Sequence, residues 1–104
     1  MSNAEVKNIV KKYASALKKA EYPFSAMYVF GSYAKGTPNK WSDIDVAIVS
    51  DRLKRQYDTN RLLLWKLRRG VDTRIEPHGF TVKEFTDDAN SMAYEIRQTG
   101  IRVV

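Results

Sequence analysis

The sequence predicts an α/β fold, of the α+β kind, in which a small mixed β-sheet packs against helices. Three observations carry this expectation. The chain opens on a stretch of helical periodicity, continues into short apolar runs rich in strand formers and punctuated by Gly or Pro, and sets helical stretches between and after those runs. The order reads helix, strand, strand, helix, strand, helix, strand, which suits a sandwich of helices on a sheet. A chain of 104 residues is the size of one domain, so residues 1–104 are expected to form a single unit around one core.

Each element has its own signal. From Glu5 to Ala20 the apolar positions Val6, Ile9, Val10, Tyr13, Ala14 and Leu17 recur at helical spacing with lysines between them, and Pro23 lies just beyond. Ala26 to Phe30 reads as a short strand closed by Gly31. After the turn-rich stretch 31–40, Asp43 to Val49 is apolar on both parities except at its start, the pattern of an interior strand whose first residues emerge from the sheet. Asp51 to Arg69 reads as a second helix ending at Gly70. Val71 to Glu76 reads as a third strand that Pro77 stops. Thr81 and Glu84 fit a capping box opening a last helix, Val82 to Thr99, with Gly100 as its terminator. Ile101 to Val104 is left as a short edge strand.

Composition narrows the chemistry. The chain has no cysteine, which removes disulfide scaffolds, thiolate metal sites and cysteine nucleophiles together. No run of about 18 apolar residues is present to span a membrane, and no charged-then-apolar leader opens the chain, so no membrane association and a cytoplasmic location are expected. The formal charge of +6, from 18 basic and 12 acidic residues, favours a polyanionic ligand such as a nucleotide, a nucleic acid or an acidic partner. A domain this small is expected to hold any large acceptor with the help of another chain.

Two half-sites stand out. Asp43 and Asp45 are two apart on one strand, so their carboxylates leave the same face close together. Like charges so placed repel, and a hard divalent cation bound through oxygen is the usual remedy. Magnesium keeps several waters and is completed by substrate phosphates, so such a shelf is half of a nucleotide–metal site. A third carboxylate would let two metals sit about 3.5–4 Å apart. The other half is Gly31-Ser32: glycine admits a phosphate close to the backbone, and the serine hydroxyl and turn N–H groups can donate to it. A short helix starting there would add positive potential. Ten residues separate Ser32 from Asp43, which suits one loop between neighbouring strands with both half-sites at the same end of the sheet.

The string Phe30-Gly31-Ser32-Tyr33-Ala34-Lys35-Gly36, followed by Ser42-Asp43-Ile44-Asp45-Val46-Ala47-Ile48-Val49, resembles the signature of the DNA polymerase β-like nucleotidyltransferase superfamily. The chain's brevity resembles the minimal nucleotidyltransferase branch. Arg74-Ile75-Glu76-Pro77-His78 and the ending Tyr94 to Ile101 resemble a recurring subgroup, and the likeness runs over roughly residues 5 to 104. The resemblance implies the nucleotidyltransferase fold and transfer of a nucleoside monophosphate from a nucleoside triphosphate, ATP first, with two Mg²⁺ ions or Mn²⁺ in their place. It implies that Gly31 and Ser32 bind the triphosphate, that Asp43 and Asp45 bind both metals, and that a third carboxylate on a following strand binds the catalytic one. Some minimal members are antitoxins acting on a HEPN-class partner protein, which makes such a protein a candidate partner and acceptor. A second copy of the chain is another candidate partner, and nucleic acid is not excluded.

Asp72, Arg74 and Glu76 share a parity on the expected third strand. Glu76, next to Pro77 at the strand end, is the preferred third carboxylate, with Asp72 as the alternative. Lys35 and Arg74 are candidate phosphate contacts, although Arg74 fits an ion pair with a neighbouring carboxylate equally well. Lys40, Arg52, Lys54 and Arg55 read as steering charges or solvated ones, and Trp41 as a base-stacking ring or a cover for the sheet edge. His78 reads as a loop histidine without a role, since two-metal transfer needs no imidazole base. Trp65 and the leucines around it read as core. The rival to an enzyme is a basic module, antitoxin-like, that docks on a partner protein or a nucleic acid with its site unused.

Overall fold

The computed structural model describes residues 2–36 and 43–104. Helix α1 spans Asn3–Lys19, and the Ser2 hydroxyl accepts from the Glu5 N–H at its start. Glu5 in its first turn and Lys18 and Lys19 in its last oppose the helix dipole with the favourable sign. Four strands follow: β1 (Ala26–Phe30), β2 (Ile44–Val49), β3 (Ile75–Phe80) and β4 (Ile101–Arg102). They form one mixed sheet in the order β3-β2-β1-β4. β1 is antiparallel to β2 and β4, and β2 is parallel to β3. A parallel pair needs a long crossover, which helix α2 (Tyr57–Arg68) provides.

Strand alternation sorts the sheet into two faces. Met27, Val29, Ile44, Val46, Ile48 and Ile75 pack with Val10, Tyr13 and Leu17 of α1 and Leu64 of α2. There the Tyr13 hydroxyl donates to the Leu64 carbonyl at 2.7 Å, and burial raises the Tyr13 pKa well above the ordinary phenol. Ala26, Ala47, Val49 and Phe80 pack on the other face against Phe85 of α3 (Val82–Phe85) and Ala93 and Ile96 of α4 (Ser91–Thr99). Those two short helices cover the end of the face that holds these small and apolar residues and reach Phe30 beyond it. Its other end carries Phe30, Asp45 and Glu76, which are partly exposed.

Three expectations about element bounds are corrected. β3 begins at Ile75 rather than Val71 and runs through Pro77 instead of stopping there. The Asp72 carboxylate accepts the Arg74 N–H at 2.9 Å, and the Ile75 N–H reaches the Asp72 carbonyl at 3.2 Å, so residues before 75 are held in a turn. Pro77 is tolerated because β3 is an edge strand with β2 as its one neighbour. The helix expected over Asp51–Arg69 divides into a 3-10 turn, Asp51–Lys54, and α2. Asn60 holds the break, donating to the Arg52 and Arg55 carbonyls at 3.0 and 2.7 Å. The last helix also divides: its capping box forms as expected, with Thr81 and Glu84 reciprocally bonded. Asp87 then closes a turn on the Ala89 N–H, and Asn90 caps α4 through the Ala93 N–H.

Candidate active site

β1 ends at Phe30, which pairs with Asp45 on β2, and Asp45 pairs in turn with Glu76 on β3. These residues therefore form one row across the sheet on the half-covered face. Gly31 turns the chain at φ +73°, and a Cβ placed on it would lie 2.3 Å from the Asp45 Oδ2. Only a residue without a side chain lets the backbone lie against that carboxylate. Two residues along β3 from Glu76, on the same face, His78 points its Nε2 at both acids, 3.4 Å from Asp45 Oδ1 and 3.9 Å from Glu76 Oε1. Asp45, Glu76 and His78 each offer one ligand atom, all within 4.8 Å of one another.

The electrostatics follow from that crowding. Burial holds the Glu76 carboxyl above its usual range, and Asp45 and Asp43 push it further the same way while His78 opposes them. His78 Nε2 is buried and makes no hydrogen bond among the described residues. Two carboxylates and an imidazole nitrogen that converge without hydrogen bonds to that nitrogen are a donor set a divalent cation fits. Asp43 lies one step outside the row, exposed, and lines a cleft of about 260 Å³ with Glu76, Trp65, Arg68 and Arg74.

Residues 9–98 match the nucleotidyltransferase domain family. The chain belongs to that family. A "Putative protein adenylyltransferase" of Methanocaldococcus jannaschii is 38% identical over 45 residues, which is 43% of this chain and 51% of that protein. The match thus spans about half the length of that curated relative. The fold is similar to the crystal structure of a "putative nucleotidyltransferase" from Sulfolobus solfataricus, with a TM-score of 0.62 and 20% identity over 78% of this chain and 71% of that one. It is similar also to a toxin–antitoxin crystallised with AMP-PNP, with a TM-score of 0.66 and 20% identity over 94% of this chain and 72% of that one. At that identity the likeness is one of fold.

Within this nucleotidyltransferase domain the residues singled out from the sequence separate into two groups. Gly31, Asp45 and Glu76 come together. Ser32 and Lys35 lie in the turn 31–36, which is closed by the Lys35 N–H on the Gly31 carbonyl at 3.1 Å. Lys35 reaches Glu95 of α4 at 3.0 Å, and between them and Gly31 opens a cleft of about 380 Å³. Asp72 goes elsewhere, and Arg74 is bound to it while still lining the cleft beside Asp43 and Glu76. Asp72 and Arg74 form a two-pronged pair at 3.0 and 2.7 Å, off the strand, and this hydrogen bonding holds the Asp72 carboxyl below its ordinary value. The shared parity of Asp72 and Glu76 therefore does not hold, and Asp72 is engaged with Arg74 rather than with the aspartates.

Arg52, read as a steering charge or a solvated one, is structural: it donates to Asn60 and to the Glu21 carbonyl and lies over the Tyr22 ring. Lys54 pairs with Asp51 at 3.5 Å, and Arg55 is exposed. Lys40, Trp41 and Ser42 lie outside the described residues. Trp65 is only partly buried and lines two clefts, and Leu62 is 50% exposed, whereas Leu64 is buried and Leu63 and Leu67 pack against the core, so the core reading of that stretch holds for those three leucines. The larger miss is His78, which sits on β3 rather than in a loop. Its signal was the two-residue spacing from Glu76, hidden by ending the strand at Pro77. Among the described residues no helix is long and apolar enough to cross a membrane.

Proposed function

We propose that this chain transfers a nucleoside monophosphate, AMP from ATP first, to an acceptor on a partner protein. In that reaction an acceptor hydroxyl gives up its proton to water as its oxygen bonds to the α-phosphorus, the bond from that phosphorus to the bridging oxygen of the β-phosphate breaks, and pyrophosphate leaves. The observation that carries the reading is the row Gly31, Asp45 and Glu76, in which a left-handed glycine sets backbone against one of two adjoining carboxylates. Asp45 and Glu76, with Asp43 at the rim, would hold the divalent cations, Mg²⁺ or Mn²⁺, which when bound screen the triphosphate and the departing pyrophosphate.

The chain's own residues supply the rest. Gly31 and Ser32 offer turn N–H groups and a hydroxyl to phosphate oxygens, and Lys35 at the mouth of the 380 Å³ cleft adds positive charge there. Arg68 and Arg74 line the cleft beside Glu76 and Asp43, favouring a polyanion. A protein acceptor is favoured by the name of the curated relative and by the toxin–antitoxin assembly of the structural one. The reading takes residues 1–104 as one nucleotidyltransferase domain, and a HEPN-class protein or a second copy of the chain as the first partners to try.

The test is labelling with ATP radioactive at the α-phosphate. Purified protein is mixed with divalent metal and with extract of its own cells, and labelled bands are followed by gel. A labelled protein that vanishes with Asp45→Asn supports the proposal. Magnesium-dependent ATP binding without labelling of any protein would turn the search to a nucleic-acid or small-molecule acceptor. Absence of ATP binding by calorimetry would leave the chain as a docking module.

A further inference from the structure

We propose that His78 is a metal ligand whose nitrogen turns the centre built on Asp45 and Glu76 toward a first-row transition ion, Mn²⁺ being the one tested, in preference to Mg²⁺. The inference rests on the proposed metal-dependent transfer and adds which ion that site selects.

Geometry is the first support. Ligand atoms at about 2.1 Å from one ion lie about 3.0–3.5 Å apart when they are neighbours in octahedral or tetrahedral arrangements. His78 Nε2 is 3.4 Å from Asp45 Oδ1 and 3.9 Å from Glu76 Oε1, and the three ligand atoms all lie within 4.8 Å of one another, so side-chain adjustments on the order of an ångström or less bring all three onto one ion. The second support is the nitrogen itself, which is buried without a hydrogen-bond partner among the described residues although the imidazole as a whole is 26% exposed. A buried polar group left unpaired costs about 1–3 kcal/mol. A cation held with the two carboxylates removes that cost, and the neutral ring then carries its proton on Nδ1.

The third support is that the aim of the ring is fixed. His78 lies opposite Ala47 in the parallel ladder, and its ring stands edge-on to Phe30 with centroids 5.0 Å apart. Both contacts come from strands that the core holds in register, so the nitrogen faces the acids before any ion arrives. Chemistry then sets the preference. Carboxylates accept hard and borderline cations alike, whereas Mg²⁺ prefers oxygen and gives up water reluctantly, and imidazole favours the transition series.

The chain contains one histidine, so any imidazole signal from bound metal in tag-free protein identifies His78. Mn²⁺ alone is added, its binding is followed by loss of the free-ion EPR signal, and the electron spin echo of the bound ion is searched for nitrogen modulation. Mg²⁺ affinity is obtained by competition. The expected result is nitrogen modulation in the wild-type chain, lost in His78→Gln. Mn²⁺ binding should weaken about tenfold or more in that variant, as loss of a metal's supporting groups commonly does, and Mg²⁺ affinity should change far less. Because the modulation is read in the wild-type protein, a variant that fails to fold does not blunt the test. Mn²⁺ that binds, is lost with Asp45→Asn, and shows no nitrogen modulation overturns the role of His78 and leaves the proposed transferase standing. An unchanged ratio of Mn²⁺ to Mg²⁺ affinity in folded His78→Gln overturns the selectivity. A wild-type chain that binds neither ion overturns both proposals.

Discussion

The two faces of the sheet have opposite fates although they share the same strands. On β2, Ile44, Val46 and Ile48 turn to the α1 and α2 side and are wholly buried, at 0% exposure each. Asp45, between two of them in sequence, turns to the other side and keeps 26% of its side chain in contact with solvent. The first face is closed by two long helices. The second is closed by two short ones that reach Phe30 at one end of the row and leave Asp45 and Glu76 partly exposed. The difference teaches where a domain this small can put a costly site. Each aliphatic side chain buried on the closed face contributes about 1.5–3 kcal/mol, which offsets crowded carboxylates and an unpaired imidazole nitrogen on the open one.

If that division is real, changes on the two faces should affect different measurements. The largest effect is expected from Asp45→Asn, which removes a charged group at the centre of the row. Nucleotidyl transfer should fall about a thousandfold or more, equal to several kcal/mol of lost transition-state stabilisation. The melting temperature should hold or rise, because one of two neighbouring carboxylates has been neutralised. Turnover equal to that of the wild type would break the assignment. Ile48→Ala should do the converse. A fully buried side chain is cut back in a closed layer, so stability to denaturant should drop by about 2–5 kcal/mol, with turnover per folded molecule unchanged. A variant that lost activity in proportion while remaining fully folded would show that the faces are coupled.

Gly31 and Gly36 sharpen the comparison, since both have φ +73° but only one touches the row. An alanine at either position pays about 1–2 kcal/mol for the left-handed backbone. At Gly36 nothing among the described residues lies within 4 Å of the added Cβ, whereas at Gly31 it meets the Asp45 carboxylate at 2.3 Å. Gly31→Ala is therefore expected to lose at least as much thermal stability as Gly36→Ala, with ATP binding in the presence of metal lost only in the first. Equal ATP affinity in the two variants, by calorimetry, would remove the close approach from the site.

How much of this was legible depends on whether local pattern or a remote partner decides. α1, β1 and β2 follow from periodicity, since the same residues that set the pattern are buried. The meeting of Gly31 with Asp45 was legible from their spacing, because a loop between antiparallel neighbours brings its two ends together. The breaks were not. Asn60 divides the second helix by bonding carbonyls five and eight residues back, and a side chain's choice between solvent and such carbonyls leaves no period in the sequence. Pro77 misled for a different reason: whether proline ends a strand depends on the strand being central or at the edge, which only the finished sheet decides. Misplacing β3 by that argument set Asp72 on the strand and left His78 in a loop. Both errors disappear once the strand starts at Ile75.

The smallest expected effect tests the turn that places β3, and with it Glu76 and His78. Asp72 accepts the Arg74 backbone N–H at 2.9 Å and two guanidinium N–H groups at 3.0 and 2.7 Å. Its carboxyl is held below the ordinary value first by those side-chain bonds. A depressed native pKa means that the unfolded chain binds the proton more readily, so the pair's stabilisation is present above the unfolded value of about 3.9 and fades as pH falls through the native one. The Arg74 side chain is 43% exposed, so water screens the pair and no more than about 1 kcal/mol is expected of it. In Asp72→Asn the amide oxygen still accepts the backbone N–H, which keeps the turn. The variant should accordingly be less stable than the wild type by up to about 1 kcal/mol at neutral pH, and the two denaturation curves should converge as the solution is acidified below the native pKa of Asp72. A gap that persists undiminished in acid would mean that the loss comes from the turn's geometry and not from the charge.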